Sequence, residues 1–195
     1  MKLYSFSITP NNRKVEAFIR HYDLDVEIHA MNFKDKENQT EAYRKINPLG
    51  KAPALVDGDF CLWESNAILT YIAAMFPQAN AMPTDPRGRA DVDRWLHWQS
   101  FHFTHAILAH KDDAEKAARE FRPHLDMLNA QLEGRDFVRG DLGVVDFAIV
   151  PYAIARLGRN VDYSGHPNIV AWLERVEKLK GFVETQFRPP SGATA

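Results

Sequence analysis

The chain has 195 residues, 24 basic against 26 acidic side chains, a formal net charge of -2 and a hydrophobic fraction of 45%. It is long enough to bury a core as one large or two small domains, and too nearly neutral to be built around nucleic acid or an anionic membrane surface. The single cysteine, Cys61, excludes an internal disulfide, and the first seven residues lack the apolar stretch of a secretion signal, so the expected compartment is the reducing cytoplasm.

Residues 2–6 read as a strand, and residues 9–22 as a loop running into a helix with Val15, Phe18, Ile19 and Tyr22 on one face. Residues 25–30 read as a second strand, and strands flanking a helix favour a right-handed parallel crossover. A polar stretch, 32–39, is expected to be a surface loop. Residues 40–46 then form a short helix with Ala42, Tyr43 and Ile46 turned inward.

Asn47, Pro48 and Gly50 are turn formers, and the apolar run 54–56 ends at Asp57-Gly58, a strong hairpin signal, so 60–63 is the returning strand. Cys61, between Phe60 and Leu62, reads as a buried small apolar residue. Pro53 opens the first strand of the hairpin, where its missing N–H does no harm and the preceding bond can be cis. This leaves the backbone of Ala52 open to strand addition by an extended peptide. Residues 66–76 have helical period, with Ser65 as the expected N-cap. A helix mouth suits a carboxylate and Glu64 beside it suits an ammonium, so the pair suits an α-amino acid head group.

Residues 77–86 contain three prolines and read as a linker between a domain at 1–76 and one at 87–195. Beyond the linker the apolar pattern is helical around 92–103 and over 114–132, 144–157 and 169–183, which predicts an all-α domain with a frayed tail from about residue 188. The richest apolar segment, 144–157, is broken by Asp146, Pro151 and Arg156 and is too short to span a bilayer, so no membrane association is expected. Trp95, Trp98, Phe101 and Phe103 form an aromatic stripe with His102 and His105 beside it. No cluster with metal-ligand spacing accompanies the two histidines, and no metal is expected.

The run Thr9-Pro10-Asn11-Asn12-Arg13-Lys14-Val15, with Ala52-Pro53 and Glu64-Ser65, resembles the glutathione S-transferase family, whose thioredoxin-like domain carries a cis-proline and a Glu-Ser pair at a helix start. The resemblance implies a βαβαββα thioredoxin-like domain followed by an all-α domain, a cytoplasmic homodimer, a role in detoxification, and glutathione as co-substrate. Thr9, six positions before Val15, and Asn11 are the implied thiol-activating residues in a Thr-Pro-Asn motif similar to that of nu-class bacterial members; Ser5 and Ser7 are alternative donors. Glu64, Ser65, Ala52 and Pro53 would hold the tripeptide, with Lys36 and Lys51 meeting its glycine carboxylate. The aromatic stripe would face the bound thiol. Gly143 with Asp146 resembles the family's capping box, glycine standing where serine or threonine is usual. A short connection over 106–123 implies a shallow or open second-substrate pocket.

A thiol with a pKa of about 8.5 is only about 3% ionised at pH 7, so the chemistry asks for a donor that stabilises the thiolate. Lowering that pKa by about two units needs roughly 2.7 kcal/mol, within reach of one charge-assisted hydrogen bond and a helix end. The implied reaction is attack of the thiolate on a small electrophile. Reduction of a disulfide or peroxide, and a non-catalytic role in ligand or protein binding, are the alternatives.

Overall fold

The computed structural model describes residues 1–6, 9–109 and 113–186. Ser7, part of the 106–123 connection and the tail from about residue 188 therefore lie wholly or partly outside the described residues.

The N-terminal part follows the expected order: β1 (Lys2–Ser5), α1 (Pro10–His21), β2 (Glu27–Ala30), α2 (Glu41–Ile46), β3 (Ala54–Asp57), β4 (Phe60–Trp63) and α3 (Ser65–Met75). The sheet order is β2-β1-β3-β4. β1 runs parallel to β2, with Leu3 opposite Ile28, and antiparallel to β3, with Leu3 opposite Leu55. Successive side chains point to opposite faces of a strand, and this sets the layers. Leu3 and Leu55 join Val15, Phe18, Ile68, Leu69 and Ile72 in the core beneath α1 and α3. Tyr4 and Ala54 turn the other way, to Met31 and Tyr43 on the side of α2.

Two expectations fail here. Ala42 is exposed, and Tyr43 alone in α2 is fully buried, because a helix of under two turns offers the sheet only a narrow stripe. Cys61 is exposed as well. β4 is the outer strand of the sheet, and Leu62 is its one residue that packs against the core, leaving Phe60, Cys61 and Trp63 outside.

The C-terminal part is helical: α4 (Pro86–Trp98), a π-helical turn (Gln99–Phe103) continuing into α5 (Thr104–Ala109), α6 (Ala114–Gln131), α7 (Val144–Ile154), α8 (Pro167–Glu177) and α9 (Lys180–Glu184). α7 is buried along almost its whole length. Its Phe147 ring stacks on Phe182 of α9 at 5.4 Å and meets Phe18 of α1 edge-on at 5.2 Å, joining the two parts of the chain. The helix expected over 169–183 is interrupted at Leu179, which is extended. The break lets α9 lie against α1 so closely that a Cβ on Gly181 would stand 1.9 Å from the Ala17 carbonyl oxygen.

The glycine at the start of α7 has a similar origin. The Ala81 carbonyl accepts from Val144 N–H at 3.0 Å, and a Cβ on Gly143 would lie 2.8 Å from that carbonyl oxygen. Asp146 supplies the rest of the cap. Its carboxylate accepts from Gly143 N–H (3.1 Å), Val138 N–H (3.0 Å) and Trp172 Nε1–H (2.8 Å). Burial pushes the Asp146 pKa up to about 6, while these three donors favour the charged form.

Asp146→Asn, which sets an amide N–H₂ against a site built for acceptors, should lower stability by roughly 2–4 kcal/mol in urea unfolding. Gly143→Ser, although serine is normally the better cap, should also destabilise, by about 1–3 kcal/mol, because its Cβ collides with the Ala81 carbonyl.

Candidate functional site

The first turn of α1 is where separate parts of the chain meet. Pro10 occupies the first helical position and Thr9, extended, precedes it with its carbonyl accepting from Arg13 N–H at 2.9 Å. Asn12 is 2% exposed and has partners on both sides of its amide. Its Oδ1 accepts from the Ser5 hydroxyl (3.1 Å) and Phe6 N–H (2.9 Å). Its Nδ2 donates to Thr9 Oγ1 (2.6 Å) and to the Ala52 carbonyl (3.1 Å). Because the Thr9 oxygen accepts from Asn12, the threonine's own proton is left to donate elsewhere.

The Ala52–Pro53 bond is cis. On the Ala52 backbone, expected to pair with an extended peptide, the carbonyl accepts from Asn12 Nδ2. Ser5, one alternative donor, is fully buried and points its hydroxyl at Asn12. Ser7, the other, lies outside the described residues.

Asn11 reaches in the opposite direction. Its Oδ1 accepts from Ser65 Oγ at 3.1 Å and from the Tyr152 hydroxyl of α7 at 3.0 Å, so its Nδ2 is the donor left over. Ser65 is not the cap of α3: it is the first helical residue, with its hydroxyl committed to Asn11, and Glu64 stands at the N-cap. Glu64 has φ 74° and ψ 112°, a conformation costing a non-glycine residue of order 1–3 kcal/mol. The strained backbone makes the turn from strand to helix and leaves the Glu64 side chain exposed beside the buried Ser65.

Behind this mouth lies Lys14, 1% exposed. Its ammonium donates to Asn66 Oδ1 (2.8 Å) and Gln99 Oε1 (3.1 Å) and stands 5.5 Å from the centre of the Tyr152 ring. Burial pulls its pKa down to about 7, against the pull of the Glu64 carboxylate. Burial raises the pKa of Tyr152.

Lys36 and Lys51 are both exposed, Lys36 in the loop after β2 and Lys51 in the turn before β3. Asn38 Nδ2 donates to the Gly50 carbonyl at 2.8 Å, which brings the Lys36 loop to the turn before Lys51. The Lys51 carbonyl is itself held by the Tyr43 hydroxyl and Asn47 Nδ2, each at 2.7 Å. The aromatic stripe divides: Trp95, Trp98 and Phe103 are core residues, whereas Phe101 is 65% exposed with its ring against His102 and His105. Among the described residues no three His, Cys, Asp or Glu side chains are grouped to hold a metal ion.

The structure therefore brings Thr9, Asn11, Ala52, Pro53, Glu64 and Ser65 together, with Lys51 next to Ala52 in the chain and the Lys36 loop tied to the turn before it. Asn12, Lys14, Asn66, Gln99 and Tyr152 were not read as site residues. Two adjacent asparagines at a helix start were a signal for Asn12; Tyr152 and Gln99, far away in the chain, offered none.

The family description "Glutathione S-transferase, N-terminal domain" matches residues 1–74, and "Glutathione S-transferase, C-terminal domain" matches residues 93–180. A glutathione transferase structure from Bombyx mori is 31% identical, with TM-score 0.81, over 94% of this chain and 91% of that one. The chain belongs to the glutathione S-transferase family. Glutathione S-transferase D7 of Drosophila melanogaster is 27% identical over 92% of this chain and 85% of its own length. A glutathione transferase from Burkholderia graminis, solved with two glutathione molecules bound per subunit, is 25% identical with TM-score 0.81, covering 98% of this chain and 89% of that one. The glutathione S-transferase fold thus spans this chain from the β1 sheet to the last helices.

Asn12→Ala strands the Phe6 N–H and the Ala52 carbonyl, and should cost roughly 2–3 kcal/mol in denaturant unfolding. Asn12→Asp, which keeps the acceptors but loses both donors, should be no milder, since it sets a carboxylate against the Ala52 carbonyl.

Proposed function

We propose that the protein is a glutathione transferase that ionises the bound thiol for attack on a small electrophilic carbon. The carrying observation is the convergence at α1, where Asn12 binds Thr9 to the Ala52-Pro53 segment and Asn11 binds the Ser65 helix mouth. In this reading glutathione lies along the backbone at Ala52 and Pro53. Its glutamyl carboxylate meets the backbone N–H groups at Ser65 and the N-terminus of α3, and its ammonium meets Glu64. Lys36 and Lys51 serve the glycine carboxylate. The Thr9 hydroxyl and the Asn11 amide are the free donors nearest the sulfur, and hydrogen bonds to the charged form lower a thiol's pKa.

Thiolate ultraviolet absorbance, followed on titrating glutathione into the protein, tests this. The parent should hold most of the bound thiol ionised at neutral pH. Thr9→Ala should raise the bound-thiol pKa by about 1–2 units while Thr9→Ser restores it. Binding with no thiolate signal in the parent would exclude the catalytic reading and leave a ligand-binding one.

Reduction of a disulfide or peroxide is the second reading. The Burkholderia graminis relative, with two glutathione molecules bound per subunit, favours it, since forming oxidised glutathione consumes two such thiols. Product analysis separates the readings: a conjugate for the first, oxidised glutathione for the second.

A homodimer in the cytoplasm is part of the same proposal. Phe60 and Trp63, on opposite faces of the outer strand β4, and Met75 on α3 are 45%, 40% and 49% exposed, apolar side chains that a second copy of the chain meeting this edge of the sheet would cover. Light scattering should give twice the chain mass, and Phe60→Glu with Trp63→Glu should shift it to the monomer.

A further inference from the structure

Lys14 is a buried cation whose near partners are neutral. Asn66 Oδ1 and Gln99 Oε1 accept from its ammonium, the face of the Tyr152 ring lies beyond, and among the described residues no carboxylate forms an ion pair with it. Neutral amides offset only part of the cost of taking an ammonium out of water. The charged or titratable groups facing it from neighbouring elements are few. Glu64 acts on it from the N-cap of α3 without contact, and Tyr152 from α7 is a phenol that burial keeps neutral. The π-helical turn contributes Gln99, which has no charge.

Asn66, which accepts from Lys14, is the second residue of α3, next to Ser65. Ser65 is 8% exposed and Glu64 is exposed; in the glutathione reading the head group's carboxylate sits at Ser65, one residue from the Asn66 that holds Lys14, and its ammonium at Glu64. We infer that Lys14 is a positioning residue whose buried charge is completed by the carboxylate of the bound ligand, so that binding at the mouth of α3 takes up a proton on Lys14. This rests on the glutathione reading above and adds a linkage to it. Free, Lys14 is pushed down to about 7 and is partly neutral at neutral pH; with a carboxylate at Ser65 it is charged. Linkage is reciprocal, so protonating Lys14 strengthens binding as binding strengthens protonation. Affinity is therefore full below about pH 7 and falls above it, by up to about tenfold per pH unit, until the bound-state pKa is passed.

The test is calorimetric titration of the full chain with S-methylglutathione, which has no thiol proton to release, at about pH 7.5 in phosphate and in Tris, whose ionisation enthalpies differ. The two heats should differ by the uptake of between about half and one proton per site. Lys14→Arg, whose guanidinium stays charged, should bind without proton uptake and without the loss of affinity at higher pH. Lys14→Met should bind more weakly and also without uptake. Binding by the parent with equal heats in both buffers would overturn the linkage and leave the glutathione reading standing. No binding by the parent in either buffer would overturn both. The parent measurement decides even if Lys14→Met does not fold.

Discussion

The side-chain amide of Asn12 holds three separate stretches of chain in one place. It accepts from Ser5 and Phe6 at the end of β1, donates to Thr9 at the start of its own helix, and donates to Ala52, forty residues away. An amide offers two donor hydrogens and two acceptor lone pairs, and here each side has two partners. A buried network in which every member is satisfied is rigid, and the same group left partly unpaired would be costly. The direction in which the Thr9 proton points, and the place where the Ala52 backbone stands, follow from that one side chain.

A second polar junction sits beside the first, and the two are joined because Asn11 and Asn12 are adjacent on α1. Asn11 engages Ser65 and Tyr152, and Lys14 engages Asn66 and Gln99, so one turn of helix touches α3, α7 and the π-helical turn. The apolar core passes beneath through Phe18, Phe147 and Phe182. The hydrophobic contacts hold the sheet-bearing and helical parts together, and the polar contacts above them set the shape of the mouth. The strained backbone of Glu64 is placed here, where its neighbours on α1 and α3 are held and the unfavourable dihedral can persist.

Much of the fold was legible because it is written in local period and punctuation. The apolar run of β3, helical spacing in α1 and α3, and the turn at Asp57-Gly58 each correspond to an observed element. The failures share a cause. Cys61 alternates like a buried residue but lies on the outermost strand, and residues 169–183 keep helical period although the chain breaks so that Gly181 can meet Ala17. In both places local preference was clear and the surroundings decided the outcome. The capping motif shows the same thing: glycine at 143 looks like a weakened cap until the Ala81 carbonyl is seen where a Cβ would be.

By itself the sequence determined the order of strands and helices, the likeness of Thr9 to Val15 and of Asn47 to Ser65 to one family, and the choice of Thr9, Asn11, Ala52, Pro53, Glu64 and Ser65 as a group. These are carried by residue type and spacing, which the linear chain displays. Tertiary structure decided that Asn12 is the hub, that Glu64 and not Ser65 stands at the N-cap, and that Lys14 is sealed among neutral amides from α3 and the π-helical turn. The partners of a buried polar group are chosen by proximity after folding, and residues 12 and 52, or 14 and 99, carry no mark in the sequence that they will meet.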